Sequence, residues 1–164
     1  MSKVGDGISA SNAGWSFKGD VAKSFDSHVS KQVPLYQEGH ELVCNLSDFF
    51  IKHDSRCYEL GCSTGALTLK LAAHNGSKRG ARFIGVEIEP DMVKVANEKK
   101  RSGSIGSVEF IVDDITQHEF DSPDLVVAYY TVQFIRPSQR QQLIDRIFKS
   151  LQWGGAFLLF EKVR

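Results

Sequence analysis

The segment Glu59–Gly65, ELGCSTG, admits two readings. Its last five residues fit the G-x-S-x-G elbow of a serine hydrolase, where a strand turns sharply into a helix and Ser63 becomes a nucleophile. They fit equally a glycine-rich turn from strand to helix that cradles a bound cofactor. Ser63 is then a hydrogen-bonding liner. The surrounding residues decide between the two.

An elbow serine needs an acid and a histidine base after it, in the chain order Ser, Asp/Glu, His. Downstream of Ser63 the histidines are His74 and His118. His74 falls in the helix directly after the turn and cannot return to Ser63. His118 follows the third strand, earlier than a hydrolase places its base. The cofactor reading is preferred.

Outward from the turn, strands and helices alternate. RCYEL (56–60) is a strand, and Gly65 to His74 is a helix with Leu67, Leu69 and Leu71. RFIGVEI (82–88) is a second strand, followed by a helix over Asp91–Arg101 with Pro90 suited to its first turn. VEFIV (108–112), DLVVAYY (124–130) and AFLLFE (156–161) complete five strands. Pro137 opens a helix over Ser138–Gln152 that Gly154-Gly155 ends. Upstream, Asp20 caps a helix from about Val21 to Lys31, and Pro34 opens a helical stretch to about His53. Strands rich in Val, Ile, Leu and Phe between helices imply a doubly wound, mainly parallel α/β sheet of Rossmann-like type. Met1–Gly14, rich in Ser, Gly and Asn, is expected to be a flexible tail before one domain over 15–164.

Acids mark the ends of three successive strands. Glu59 closes the first. Glu87 closes the second, 22 residues after Gly65, where a carboxylate accepts hydrogen bonds from two ribose hydroxyls. Asp113-Asp114 closes the third, where an acid accepts the exocyclic amine of adenine. Each alone reads equally as a helix cap or a surface carboxylate. Together beside one glycine turn they indicate a nucleotide site. The spacing is not the G-x-G-x-x-G of a dinucleotide fold. Glu59 would repel a pyrophosphate and suits a ligand carrying an ammonium and a sulfonium, which is S-adenosylmethionine.

The totals narrow the partners. At 164 residues, 41% hydrophobic and 24% charged, the chain is an ordinary globular domain. Its net charge is zero, so no global field draws it to nucleic acid or to an anionic membrane. No apolar run approaches membrane-spanning length. Three cysteines (Cys44, Cys57, Cys62) without a disulfide or metal spacing favour a reducing, cytoplasmic setting and no structural metal. The basic clusters Lys78-Arg79 and Lys99-Lys100-Arg101 read as a solvated loop and the favourable C-terminal end of a helix.

These residues resemble a class I S-adenosylmethionine-dependent methyltransferase, and more narrowly the carboxy-S-adenosylmethionine synthase family. The likeness runs from GWSFKGDVAKSFDSHVSKQVPLY (14–36) through ELGCSTGALTL, GVEIEPDMV and VDDI to TVQFIRPSQRQQLIDRIFKSLQWGGAFLLFEK (131–162). It implies cofactor contacts at Tyr36, Gly61, Cys62 and Ser63, at Glu87 with Ile88 for the ribose, and at Asp114 with Ile115 for the adenine. Glu59 and Tyr129 complete the expected set. The synthase pattern carries an asparagine where this chain has Tyr129, so plain S-adenosylmethionine is the expected ligand and carboxy-S-adenosylmethionine the alternative. The family pattern also continues beyond the fifth strand, and the domain is expected to be shortened at its C-terminal side.

The function expected is transfer of a one-carbon group from S-adenosylmethionine to an unidentified small-molecule acceptor. Because the sulfonium is already activated, no catalytic residue is nominated. The alternative, implied by the resemblance, has the deprotonated methyl carbon of S-adenosylmethionine capture carbon dioxide released from prephenate, to supply tRNA wobble-uridine modification. A non-catalytic cofactor-binding module is the third reading. Trp15 and Tyr36 are candidate lid residues, and Cys62 is a small liner rather than a reactive thiol. One of Tyr129 and Tyr130 should face the cleft and the other the packing layer. An exposed fifth strand at the sheet edge suggests a homodimer.

Overall fold

The computed structural model describes residues 2–3, 9–11, 14–16, 21–102 and 107–162. Three short N-terminal strands, β1 (Ser2–Lys3), β2 (Ser9–Ser11) and β3 (Gly14–Ser16), form a small antiparallel sheet. They take up part of the segment expected as a flexible tail. Its other residues, the Asp20 cap and the Trp15 side chain lie outside what is described.

Helices α1 (Val21–Gln32) and α2 (Tyr36–Ser47) follow. The main domain then runs β4 (Arg56–Leu60), α3 (Ala66–His74), β5 (Arg82–Glu87), α4 (Pro90–Ser102), β6 (Ser107–Val112), β7 (Leu125–Tyr129), α5 (Pro137–Ser150) and β8 (Ala156–Phe160). A 3-10 turn over Val132–Phe134 links β7 to α5. All five strands expected from the sequence are present.

The five strands pair in parallel in the order β6-β5-β4-β7-β8. The chain starts in the centre, moves out to β6, then crosses to β7 on the other side of β4. This reversal opens a crevice at the carboxyl end of β4, and the glycine turn sits there. Alternation along each strand sorts side chains into two layers. Cys57, Phe83, Leu125 and Val127 pack with Val43 and Cys44 of α2 and Leu67 and Leu71 of α3. Tyr58, Leu60, Ile84, Val86, Val126 and Ala128 pack on the opposite face with Leu143 and Ile147 of α5. Both faces of the sheet are therefore covered, as the near-continuous apolar strands require.

Tyr129 and Tyr130 do not divide between cleft and core. Tyr130 adopts φ 56°, which ends the strand and breaks its alternation. Both rings pack toward the α2/α3 layer, 4.9 Å apart and edge to face.

Candidate functional site

Beyond Leu60 the chain must turn within five residues from β4 into α3. Gly61 (φ 66°), Ser63 (φ 48°) and Gly65 (φ 74°) achieve this with left-handed backbone. The left-handed region favours glycine, and space excludes anything larger at both glycines. A Cβ on Gly61 would stand 2.8 Å from Thr131 Oγ1, and one on Gly65 2.6 Å from Phe110 Cε1. The Gly61 and Cys62 N–H groups donate to the Val86 carbonyl at 2.8 and 3.2 Å, clamping the turn to the end of β5. Thr131 donates its hydroxyl to the Leu60 carbonyl at 2.8 Å from the β7 side.

Glu87 is the hinge of this arrangement. It is 7% exposed, and Oε2 accepts the Ser63 N–H at 2.8 Å while Oε1 accepts the Glu89 N–H at 3.1 Å. Burial raises its pKa, and the backbone donors act against that rise. A carboxylate has about four acceptor positions, and the Ile88 N–H also bears on this one, so part of its acceptor capacity remains. Beside it Ile88 is 60% exposed, an apolar shelf at the end of β5. Asp114 uses Oδ1 to accept both the N–H and the hydroxyl of Thr116, each at 2.8 Å. The Ile115 side chain is buried in the α5-side core, so its backbone is the part left to meet a ligand.

Cys62 is buried, and desolvation lifts its thiol well above the usual range with Glu59 and Glu87 adding to the rise. Such a thiol is inert. Neither downstream histidine serves Ser63. His74 Nε2 pairs with Asp48 at 3.2 Å, and His118 Nδ1 meets Asp113 Oδ2 at 2.7 Å against Tyr58 and Phe120. The turn lacks the base that an elbow serine requires.

Tyr36 and Tyr129 meet edge to face, 5.2 Å apart, with the His40 ring 4.6 and 4.8 Å from them. The Tyr129 hydroxyl donates to the Tyr36 carbonyl at 2.8 Å. Tyr129 thus straps the start of α2 to the end of β7, and burial pushes its phenol up to about 12. His40 is fully enclosed, and desolvation followed by the Lys70 charge lowers it to about 4, so the imidazole is neutral.

Two contacts that sequence reasoning missed bind α1 to the same turn. Thr64 donates its hydroxyl to Asp26 Oδ1, and Lys99 of α4 donates to Asp26 Oδ2 and, at 2.8 Å, to Thr64 Oγ1. Asp26 and Lys99 are 73 residues apart, and no local pattern joins them. Of the expected residues, Gly61, Cys62, Ser63 and Glu87 meet directly at the turn, and Tyr36 meets Tyr129 on the α2 side.

A five-stranded parallel sheet with its first strand central and a glycine turn at the reversal point defines an α/β nucleotide-cofactor domain. The methyltransferase domain family matches residues 58–155, more than half of the chain, and the protein belongs to that family. Carboxy-S-adenosyl-L-methionine synthase of Ruthia magnifica subsp. Calyptogena magnifica is 34% identical over 149 residues, covering 91% of this chain and 62% of the relative. The synthase of Erwinia tasmaniensis is 36% identical over 149 residues, covering 90% and 60%. This chain therefore spans about three fifths of the length of these curated relatives. A solved S-adenosylmethionine-dependent methyltransferase from Clostridium acetobutylicum shares the fold with a TM-score of 0.67 at 18% identity, over 84% of this chain and 55% of that one.

Proposed function

We propose that the crevice at the ends of β4, β5 and β6 binds S-adenosylmethionine, and that the protein acts on its one-carbon group. The observation that carries this is Glu87, a buried carboxylate at the end of β5 that grips the Ser63 N–H and keeps acceptor capacity for the ribose hydroxyls. Asp114 Oδ2 is the acceptor for the adenine amine, and the Ile88 shelf lies against the base. Gly61–Ser63 lines the amino-acid end of the ligand, with Tyr36 above it. The sulfonium carries its own activation, so the protein's part is to align an acceptor and exclude water.

The names and identity of the curated relatives favour a second reading, in which the product is carboxy-S-adenosylmethionine. Incubation with S-adenosylmethionine, with and without prephenate, followed by mass spectrometry of the nucleoside separates the outcomes. A carboxylated sulfonium supports synthesis, and demethylated cofactor with a methylated acceptor supports methyl transfer. Binding without turnover on any acceptor supplied supports a cofactor-binding module. No helix among the described residues is long and apolar enough to cross a membrane. The three unpaired thiols suit the cytoplasm, a placement that cell fractionation tests.

Replacing Ser63 by Ala should weaken S-adenosylmethionine by about 1 kcal/mol, roughly fivefold, the worth of one hydrogen bond. A fluorophosphonate probe should leave Ser63 unmodified. Stoichiometric labelling of that residue would restore the hydrolase reading.

β8 stands at one edge of the sheet, and Leu159 on it is 44% exposed. An apolar edge of this kind pairs with a second chain unless something covers it; for the 164-residue chain the proposed assembly is a homodimer through β8, whereas a chain of the relatives' length would cover the edge itself. Light scattering over a dilution series should show a concentration-dependent mass that Leu159→Lys abolishes. A constant monomer mass for both proteins argues against the edge contact.

A further inference from the structure

Strand β6 ends in two adjacent acids that are bonded differently. Asp114 Oδ1 is spent inside its own loop, on the N–H and hydroxyl of Thr116, and Oδ2 has no hydrogen bond among the described residues. Those bonds fix the carboxylate within the loop, and the loop must itself be fixed to the sheet. His118 does this. Its Nδ1 meets Asp113 Oδ2 at 2.7 Å, while Asp113 Oδ1 accepts the Asp114 N–H at 2.8 Å. The His118 N–H donates to the Asp114 carbonyl at 2.9 Å, and the His118 carbonyl accepts from Arg146 of α5. Its ring lies 5.8 Å from that of Tyr58 on β4 and 5.3 Å from that of Phe120. The Asp113 N–H in turn donates to the Glu87 carbonyl at 3.0 Å, which ties the end of β6 to the end of β5.

The His118 ring is engaged through Nδ1 alone. Its hydrogen bond holds Asp113 below the usual carboxylate range, so the carboxylate accepts and Nδ1 carries the hydrogen. Nε2 is enclosed and has no hydrogen-bond partner among the described residues. A buried polar atom without a partner costs stability, and a phenylalanine of similar shape would seat against Tyr58 and Phe120 without that cost. Packing alone therefore does not account for an imidazole here. What the imidazole adds is the Nδ1 bond, and that bond acts on the acid next to Asp114.

We propose that His118, through Asp113, is a positioning residue that holds Asp114 Oδ2 toward the base of the ligand and so selects a purine with an exocyclic amine over one with an oxo group. This rests on the S-adenosylmethionine reading and adds the residues that give the site its base selectivity. A fixed carboxylate accepts from an amine but meets an oxo group lone pair to lone pair, and a held acceptor does not turn away from the mismatch. In a loosened loop Oδ2 swings to water and the mismatch is relieved. Selectivity then falls, while the contacts at the ribose and the amino-acid end remain.

S-adenosylhomocysteine and S-inosylhomocysteine carry the amine and the oxo group on the same ribose and amino-acid end. The ratio of their dissociation constants by calorimetry therefore cancels the part of Glu87 and the glycine turn. Wild type should prefer the amine by about a hundredfold, the upper range for a hydrogen bond to a charged group. His118→Phe keeps the ring packing and loses the donor, and its ratio should fall to about tenfold or less. His118→Asn returns an amide N–H to the place of Nδ1–H and should recover most of the preference. A packing role predicts the opposite order for these two variants. An unchanged ratio in His118→Phe, or a lower ratio in His118→Asn than in His118→Phe, overturns the proposal. Asp113→Ala removes the other half of the pair and should match His118→Phe; an unchanged ratio there overturns the proposal even if His118→Phe does not fold. Equal binding of the two ligands by wild type overturns this assignment and leaves the cofactor site standing. No binding of either ligand to folded wild type overturns the cofactor reading and this assignment with it.

Discussion

Glu87→Ala should abolish measurable S-adenosylmethionine binding while Glu38→Ala leaves it unchanged. Glu38 is an exposed acid in the first turn of α2, so it controls for a general change of charge. Glu87 acts twice. It supplies the proposed acceptor for the ribose, and it holds the Ser63 N–H so that the turn keeps its shape before any ligand arrives. Hydrogen bonds to a charged group contribute about 1.5–3 kcal/mol each. Loss of two predicts a weakening of about a hundredfold or more. Isothermal titration checks it. Equal losses in the two variants, or full binding by Glu87→Ala, would place the ribose elsewhere.

The second large effect concerns Gly39, inside α2. In an exposed helix, Gly→Ala stabilises by about 1 kcal/mol through propensity alone. Here the added methyl would stand 2.9 Å from Tyr129 Cζ and closer still to the phenol oxygen. Overpacking of this kind costs about 1–3 kcal/mol, and displacing Tyr129 also forfeits its bond to the Tyr36 carbonyl, about 1 kcal/mol more. The clash outweighs the propensity. Gly39→Ala should lower stability by about 2 kcal/mol, a fall in melting temperature of roughly 4–8 °C. The loss should be smaller in a Tyr129→Phe background, because the nearest atom is gone. Thermal unfolding of the four proteins of this cycle gives the coupling directly. A stabilised Gly39→Ala, or a cost that Tyr129→Phe does not reduce, means that α2 is not held against β7 by this contact.

The sheet was legible because its cues are local. Each strand is a short apolar run, the first proline of a helix marks α4 and α5, and turn glycines punctuate the rest. Glu87 was legible for the same reason: the end of a strand and its distance from Gly65 follow from chain order. What the sequence concealed are choices made between distant residues. The αL conformation of Tyr130 cancels the alternation that would have placed one tyrosine in the cleft. Gly39 looks like a weak point in a helix until Tyr129 is seen in the space it leaves. Asp26 carries no motif, and its meaning comes from Thr64 and Lys99, which three-dimensional folding alone brings to it. Glu59 was readable as the acid that closes the strand before the turn, but its burial and its hydrogen bond from Thr68 were not.

The Asp26–Thr64–Lys99 node bears on what can be inherited as a unit. The family match begins at residue 58, after both N-terminal helices. Physically the glycine turn has no such boundary, since Thr64 gives its hydroxyl to α1 and Tyr129 gives its own to α2. Recombination that joined residues 58–155 to foreign helices would strand Lys99 without its carboxylate and empty the space beside the turn. The portable module is therefore larger than the stretch that sequence kinship outlines, and α1 and α2 must evolve in step with the turn they brace.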